Sequence, residues 1–224
     1  MNLEEYNARL VDILNDIPES QHLEEPERTA MSWKLTEDQV RRALQRTKDS
    51  TAMGLHGCPY KLWKALEKWH NRLRHKNVPS FDIIKALMYL FRDIQGHGVD
   101  NRTNFTTSWM CPIFKKKDPT EIGNYRLITL LNTDYKLLTK VLAIQLLDHV
   151  SHLVHPDQAG FIPNWLIFDH IRLAKAILNY AEISEGDSAI LALDQEKAYD
   201  KICHDYLWRT LEAFHIPQPF IRTV

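Results

Sequence analysis

The stretch "AILALDQEKAYDKI", residues 189–202, drives an apolar run into a cluster of charge. Ile190 to Leu193 end on Asp194, and Glu196, Lys197 and Asp200 follow within six positions. A short continuous apolar run fits a strand covered on both faces. An acid at its carboxyl end would sit at a sheet edge, where α/β sites form. Read locally, Asp194 is either a cap or turn residue or a ligand for a hard cation such as Mg²⁺, which keeps most of its waters. The rest of the chain has to separate these readings.

The chain has 224 residues, 44% of them hydrophobic, enough to bury one large core or two small ones. Glycine is sparse, at seven, and helix formers abound, so the expected fold is helix-rich. The formal net charge is -1, so nucleic-acid binding, if any, must come from a local patch. Cys58, Cys111 and Cys203 are dispersed and odd in number, which fits neither a disulfide framework nor a zinc site. The acidic start lacks a signal-peptide core, and no run of about 18 apolar residues occurs. The expectation is an intracellular, non-secreted protein without membrane attachment, in which the N-x-T matches at Asn101 and Asn104 are chance.

Periodicity predicts a helix over 2–16, then an acidic, proline-flanked linker to Trp33. Thr36 and Gln39 form a capping-box pattern ahead of Val40, Ala43 and Leu44. Pro59 opens a helix to 74 whose stripe of Leu62, Trp63, Leu66 and Trp69 reads as core. Ser80 is the expected cap of the next helix, through Gln95. "TTSWMCPIF" and "YRLITLL" read as two strands of a hairpin with Lys115 to Lys117 near its tip. A long helix starts at Asn132 or Thr133 and stops before Pro156, with Leu138, Leu142 and Leu146 turned inward. After the loop "PDQAGFIPNW", Asp169 caps a helix ending near Gly186. The strand 189–193 and a helix from about His204 to Phe214 complete the chain.

Four of these segments, in order, resemble the reverse transcriptase of non-LTR (LINE-like) retrotransposons. "AMGLHGCPYKLWKAL" is similar to "APGPDGIPxEFxK". "CPIFKKKDPTEIGNYRLITLLNTDYKLLTKVLA" is similar to "LIPKKGDPxxxxNWRPISLLNxDYKIxTKxLA", and "HPDQAGFIPNWLIFDHI" to "xxDQxGFIPGRxIxDNI". "LALDQEKAYDKICHDYL" matches motif A, "LDxEKAFDxVxHxxL". The resemblance implies an α+β, helix-rich fold, a partial polymerase right hand of fingers plus the first palm strand. It divides the chain into an N-terminal helix and linker (1–33), a helical region (34–105), and fingers with the start of the palm (106–224).

It also implies roles. Asp194 is the first catalytic aspartate and metal ligand of a two-Mg²⁺ nucleotidyl transferase. Lys115 and Arg126 clamp the triphosphate, Tyr199 lies under the sugar as a steric gate, and Gln158 and Phe161 lie near the template base pair. Asp200 is left to helix capping. The implied partners are an RNA template, a DNA primer and dNTP, and the implied location is nucleus or cytoplasm. Three departures stand out: Arg126-Leu127-Ile128 for "RPI", Asn164-Trp165 for "GR", and Met53 to Gly57 for "PGPDG". The second acidic motif, "[FY]xDD", does not occur in these residues. The expectation is therefore a truncated domain, inactive in isolation, with a partner chain as one possible source of the missing palm. The alternative is a non-catalytic nucleic-acid-binding or helical interaction module on the same fold. A phosphohydrolase is disfavoured, because it would want a second Asp at position 196.

Overall fold

The computed structural model describes residues 2–155, 157–158, 160–162, 166–184, 189–195 and 197–224. The Asn164-Trp165 departure, Glu196 and the expected helix end near Gly186 lie outside them. Along the chain come α1 (Leu3–Asn15), α2 (Glu25–Ser32), α3 (Glu37–Gln45), α4 (Tyr60–Arg74) and α5 (Ile83–His97). The strands β1 (Trp109–Phe114) and β2 (Tyr125–Leu130) follow. Then come α6 (Thr133–Leu147), α7 (Val150–Leu153), α8 (Ile167–Ile183), α9 (Ala198–Lys201), α10 (His204–Ala213) and α11 (Gln218–Ile221). This is a helix-rich α+β fold with a two-stranded antiparallel sheet.

Local chemistry sets most of these boundaries. Thr36 Oγ1 accepts the Gln39 N–H at 3.3 Å while Gln39 Oε1 accepts the Thr36 N–H at 2.9 Å, which is the expected capping box. The cap of α5 is Asp82, which accepts the Lys85 N–H at 3.1 Å, rather than Ser80. Ser80 instead lies 2.8 Å from His70 Nδ1. Gly98, at φ 77, takes the left-handed turn after α5 and donates its N–H to the Ile94 carbonyl.

The acidic linker contains α2, because Pro26 falls in the first turn, where a missing N–H costs nothing. Pro59 lies one residue outside α4, in extended backbone. The long helix after β2 ends at Leu147 and restarts as α7. His149 sits between them, its Nδ1 2.9 Å from Glu27 Oε1. The cap of α8 is Leu166, and Asp169 reaches back to accept its N–H at 3.4 Å.

The chain divides into two compact units. One comprises Ser32–Gln145 with Arg222–Val224. In it α3, α4 and α5 pack together. Leu35, Val40, Leu44, Phe91, Leu137 and Val141 are among its fully buried apolar side chains. Leu138 and Leu142 turn inward as expected, and Leu146 is half-buried. The α4 stripe is only partly core. Trp63 and Leu66 are half-buried, while Leu62 and Trp69 are exposed.

The other unit comprises Met1–Met31 with Leu146–Ile221. Here α1 packs on α10, and the Leu23 N–H donates to the Phe214 carbonyl at 3.1 Å. Leu10, Leu23, Leu153, Ile216 and Phe220 are buried. Ile216 and Phe220 are covered where α11 packs against α10.

The largest correction concerns the stretch that opens the sequence analysis. Residues 189–195 form no strand, and Ile190, Leu191 and Leu193 are 62%, 79% and 85% exposed. A strand is held by hydrogen bonds to a neighbour. Among the described residues the only paired strands are β1 and β2, so this apolar run has no partner. The apolar side chains of α8, such as Ile167, Phe168 and Ile177, are exposed as well.

Candidate functional site

The hairpin places two of the expected site residues. β1 and β2 pair antiparallel, with Ile113 opposite Arg126 and Phe114 opposite Tyr125. The Lys115 N–H donates to the Asn124 carbonyl at 2.9 Å, extending the ladder by one rung. By the two-residue period of a strand, Lys115 continues the face that carries Ile113 and Arg126.

The loop between the strands is tied internally. Asp118 accepts from the Thr120 hydroxyl at 2.7 Å and the Thr120 N–H at 2.9 Å, which holds its carboxyl below the usual range. Asn124 Nδ2 donates to the Asp118 carbonyl, the Tyr125 hydroxyl donates to the Pro119 carbonyl, and the rings of Phe114 and Tyr125 lie 5.4 Å apart. Lys117 turns the chain at φ 74. Lys115 and Arg126 are exposed, and no described residue holds either side chain in an ion pair or hydrogen bond. Two unpaired cations on one face of a braced ribbon can receive an anion.

A second anchoring point lies upstream of the hairpin's return to helix. Asn132 is 3% exposed. Its Oδ1 accepts the His56 N–H, and its Nδ2 donates to the Asn104 carbonyl at 3.0 Å. Thr133 takes the Trp63 indole N–H at 2.9 Å and passes its own hydroxyl proton to the Cys58 carbonyl at 2.7 Å. His56 Nε2 lies 2.9 Å from Asp134 Oδ1. This junction fixes the 51–58 loop, the segment similar to "PGPDG", against the start of α6. Sequence reading gave these residues no role, although "LLNTDYK" and "MGLHG" both stood among the matched segments.

Gln158, Phe161, Asp194 and Tyr199 belong to the other unit. Gln158 Nε2 bonds the Gly160 carbonyl at 3.2 Å. Phe161, 86% exposed, adopts φ 64 and meets Tyr199 edge-to-face with ring centroids 6.3 Å apart. Tyr199 is itself 75% exposed, so it is not a core aromatic. It sits in α9, whose entry residue Lys197 is also left-handed at φ 51. Asp200 lies inside that short helix, and Lys197 occupies the cap position, so Asp200 caps nothing there. Asp194 is exposed in irregular chain. Among the described residues no three His, Cys, Asp or Glu come together to hold a metal ion. The described residues do not make up the donor set of a two-metal centre.

Comparison with known proteins bears on these segments. The reverse transcriptase (RNA-dependent DNA polymerase) profile matches residues 114–224, from the end of β1 through the Asp194 segment. Residues 114–224 belong to the reverse transcriptase family. A transposon TX1 uncharacterized 149 kDa protein of Xenopus laevis is 38% identical over 107 residues, 48% of this chain and 8% of that protein. The chain spans under a tenth of the length of this relative. The family implies a divalent metal and a nucleic-acid template and primer. No helix among the described residues is long and apolar enough to cross a membrane.

Proposed function

We propose that residues 106–224 are the fingers and motif A of a polymerase that copies RNA into DNA, and that the 224-residue chain by itself does not extend a primer. The observation that carries the reading is the family match, which runs unbroken from Phe114 through the motif A stretch around Asp194. Lys115 supplies a point charge and Arg126 a two-pronged fork for the triphosphate of an incoming dNTP. Tyr199 backs the sugar, Gln158 and Phe161 face the template base pair, and Asp194 contributes one carboxylate to the metals.

The local geometry supports these roles in a way that packing does not require. Lys117, Phe161 and Lys197 hold left-handed backbone although none is glycine, and each lies in a segment matched to the family. Such conformations cost of order 1–3 kcal/mol and cluster at functional positions. Chemistry at two metals needs carboxylates from more than one segment. No "[FY]xDD" pair occurs among the 224 residues, so the remaining acids must come from other residues or another chain.

Photolabelling with an azido-dNTP tests the binding half of this reading. The doubly substituted Lys115→Gln, Arg126→Gln chain should label at least tenfold more weakly, since hydrogen bonds to charged groups contribute about 1.5–3 kcal/mol each. Equal labelling of both chains would remove the triphosphate role from the hairpin.

A further inference from the structure

A cavity of about 570 Å³ lies between the α3–α4 connection and α6, within a single unit, and no residue of the β1–β2 hairpin lines it. Arg46, Lys48, Lys136 and Lys140 line it together with Thr47, Thr51, Thr139 and Tyr60, and no carboxylate does. Its size is that of a ligand site, but its walls are cationic and hydroxylic rather than apolar. Two other cavities among the described residues mix acids with bases, the first with Asp93 and Asp100 beside Arg102, the second with Glu37 and Asp82 beside Arg74 and Lys85. In a chain of net charge -1, four cations around one hollow stand out.

The four cations are not equivalent. Lys136 is structural, since its Nζ donates to the Ala52 carbonyl at 2.7 Å and burial pulls its pKa down. Arg46, Lys48 and Lys140 have no ion pair or side-chain hydrogen bond with any described residue. The nearby acids are already engaged, Asp49 with Lys64 at 2.7 Å and Asp134, beside Tyr60, with His56 at 2.9 Å. The Tyr60 hydroxyl has no partner among the described residues either, so it remains a donor. Uncompensated cations gathered around a hollow call for an anion with several oxygens.

We propose that this cavity is a phosphate-binding cradle that takes the sugar–phosphate backbone of a nucleic-acid strand, through residues other than those given to the triphosphate, the template base pair and the metals. Phosphate is the fitting anion, because its several oxygens can meet three unpaired cations and a phenol together. A backbone fits better than a free nucleotide. The one aromatic lining residue, Tyr60, is 4% exposed and presents no face for a base to stack on. Contacts to phosphate alone hold a strand without reading its sequence. The phosphate chemistry stands on the cavity itself. The choice of nucleic acid as its source rests on the polymerase reading.

The test is salt-dependent binding of a labelled mixed-sequence 20-nucleotide RNA to the full 224-residue chain. It is compared with the triple variant Arg46→Gln, Lys48→Gln, Lys140→Gln. Each phosphate contact to a single strand adds about 0.7 to the slope of log affinity against log salt. Losing three should lower the slope by about 2, so between 50 and 200 mM salt the gap between the two proteins narrows roughly sixteenfold. A control triple on α4, Lys61→Gln, Lys68→Gln, Arg72→Gln, removes the same charge and should leave the slope nearly unchanged.

Inorganic tripolyphosphate serves as competitor, and its displacement of RNA from the wild type but not the cavity variant is the supporting result. Equal slopes for the two triples would overturn the proposal. So would tripolyphosphate binding without RNA binding, which rejects the nucleic-acid source while leaving the hairpin labelling as a separate measure of the polymerase reading.

Discussion

Gly54→Ala should be among the most damaging small substitutions in the chain. An added Cβ would lie 2.4 Å from the Asn132 backbone N, 2.5 Å from Asn132 Oδ1 and 2.5 Å from the Leu131 carbonyl carbon. Two of these atoms are main chain, at the point where β2 hands over to α6, so they cannot swing aside as a side-chain tip would. The 51–58 loop must instead lift by roughly an ångström, an overpacking cost of about 1–3 kcal/mol. The same lift pulls on the His56 N–H bond to Asn132 at 3.3 Å and the Lys136 bond to Ala52 at 2.7 Å. Each such bond is worth about 0.5–1.5 kcal/mol.

The expected loss is therefore about 2–6 kcal/mol, a large part of the roughly 5–15 kcal/mol that holds a domain folded. Gly57→Ala is the matched control. Gly57 has φ 65 but nothing within 4 Å of the added carbon, so it should cost only about 1–2 kcal/mol, through backbone conformation. Urea unfolding followed by circular dichroism reads both. With a slope of about 1–3 kcal/mol per molar, Gly54→Ala should lower the midpoint by a molar or more, and Gly57→Ala by clearly less. If Gly54→Ala unfolds within about 0.5 kcal/mol of wild type, or no earlier than Gly57→Ala, the close junction of loop and α6 is wrong.

Two further outcomes follow from local environments. Tyr60 has its phenol pKa pushed up to about 12 by burial and by the nearby Asp134 carboxylate. Of the eight tyrosines, at least this one should ionise late in an absorbance titration at 295 nm, and Tyr60→Phe should remove that late phase. Because the folded phenol keeps its proton beyond pH 10, its contribution to stability is full below pH 10 and is lost as pH rises toward 12. Hydrogen exchange should also separate the two kinds of apolar run. Amides of Ile190 to Asp194 should exchange at nearly the rate of an unstructured chain, while those of Leu137 to Val141 in α6 should be slowed by about a thousandfold or more. Comparable protection would mean that 190–194 is paired after all.

What could be read from the sequence was what is decided locally. The Thr36–Gln39 box, the hairpin ends at Phe114 and Tyr125 and the inward Leu138–Leu142 face of α6 each depend on residues a few positions apart. Errors of one to three positions at Pro59, Ser80 and Asp169 came from choosing among neighbouring residues at a helix start. The misread strand at 189–193 is of another kind. Its apolar pattern is genuine, but a strand exists only with a partner, and pairing is not written in the run itself.

The candidate site shows the same division. Motif residues such as Lys115, Arg126 and Tyr199 were visible, and the exposed, unpaired state of the two cations agrees with a binding role. The Trp63–Thr133–Cys58 relay joins residues about seventy positions apart. The cavity combines Arg46 and Lys48 with Lys136 and Lys140. Neither grouping could be assembled before the chain was folded.

The most direct test of the central claim is primer extension by the purified 224-residue chain on an RNA template, with a DNA primer, dNTP and Mg²⁺. Two-metal chemistry needs carboxylates beyond Asp194, and the described residues gather no such set. The expected result is no extension above background, identical for wild type and Asp194→Ala. Extension by the wild type that disappears in Asp194→Ala would contradict the account, because these residues would then complete a polymerase site on their own.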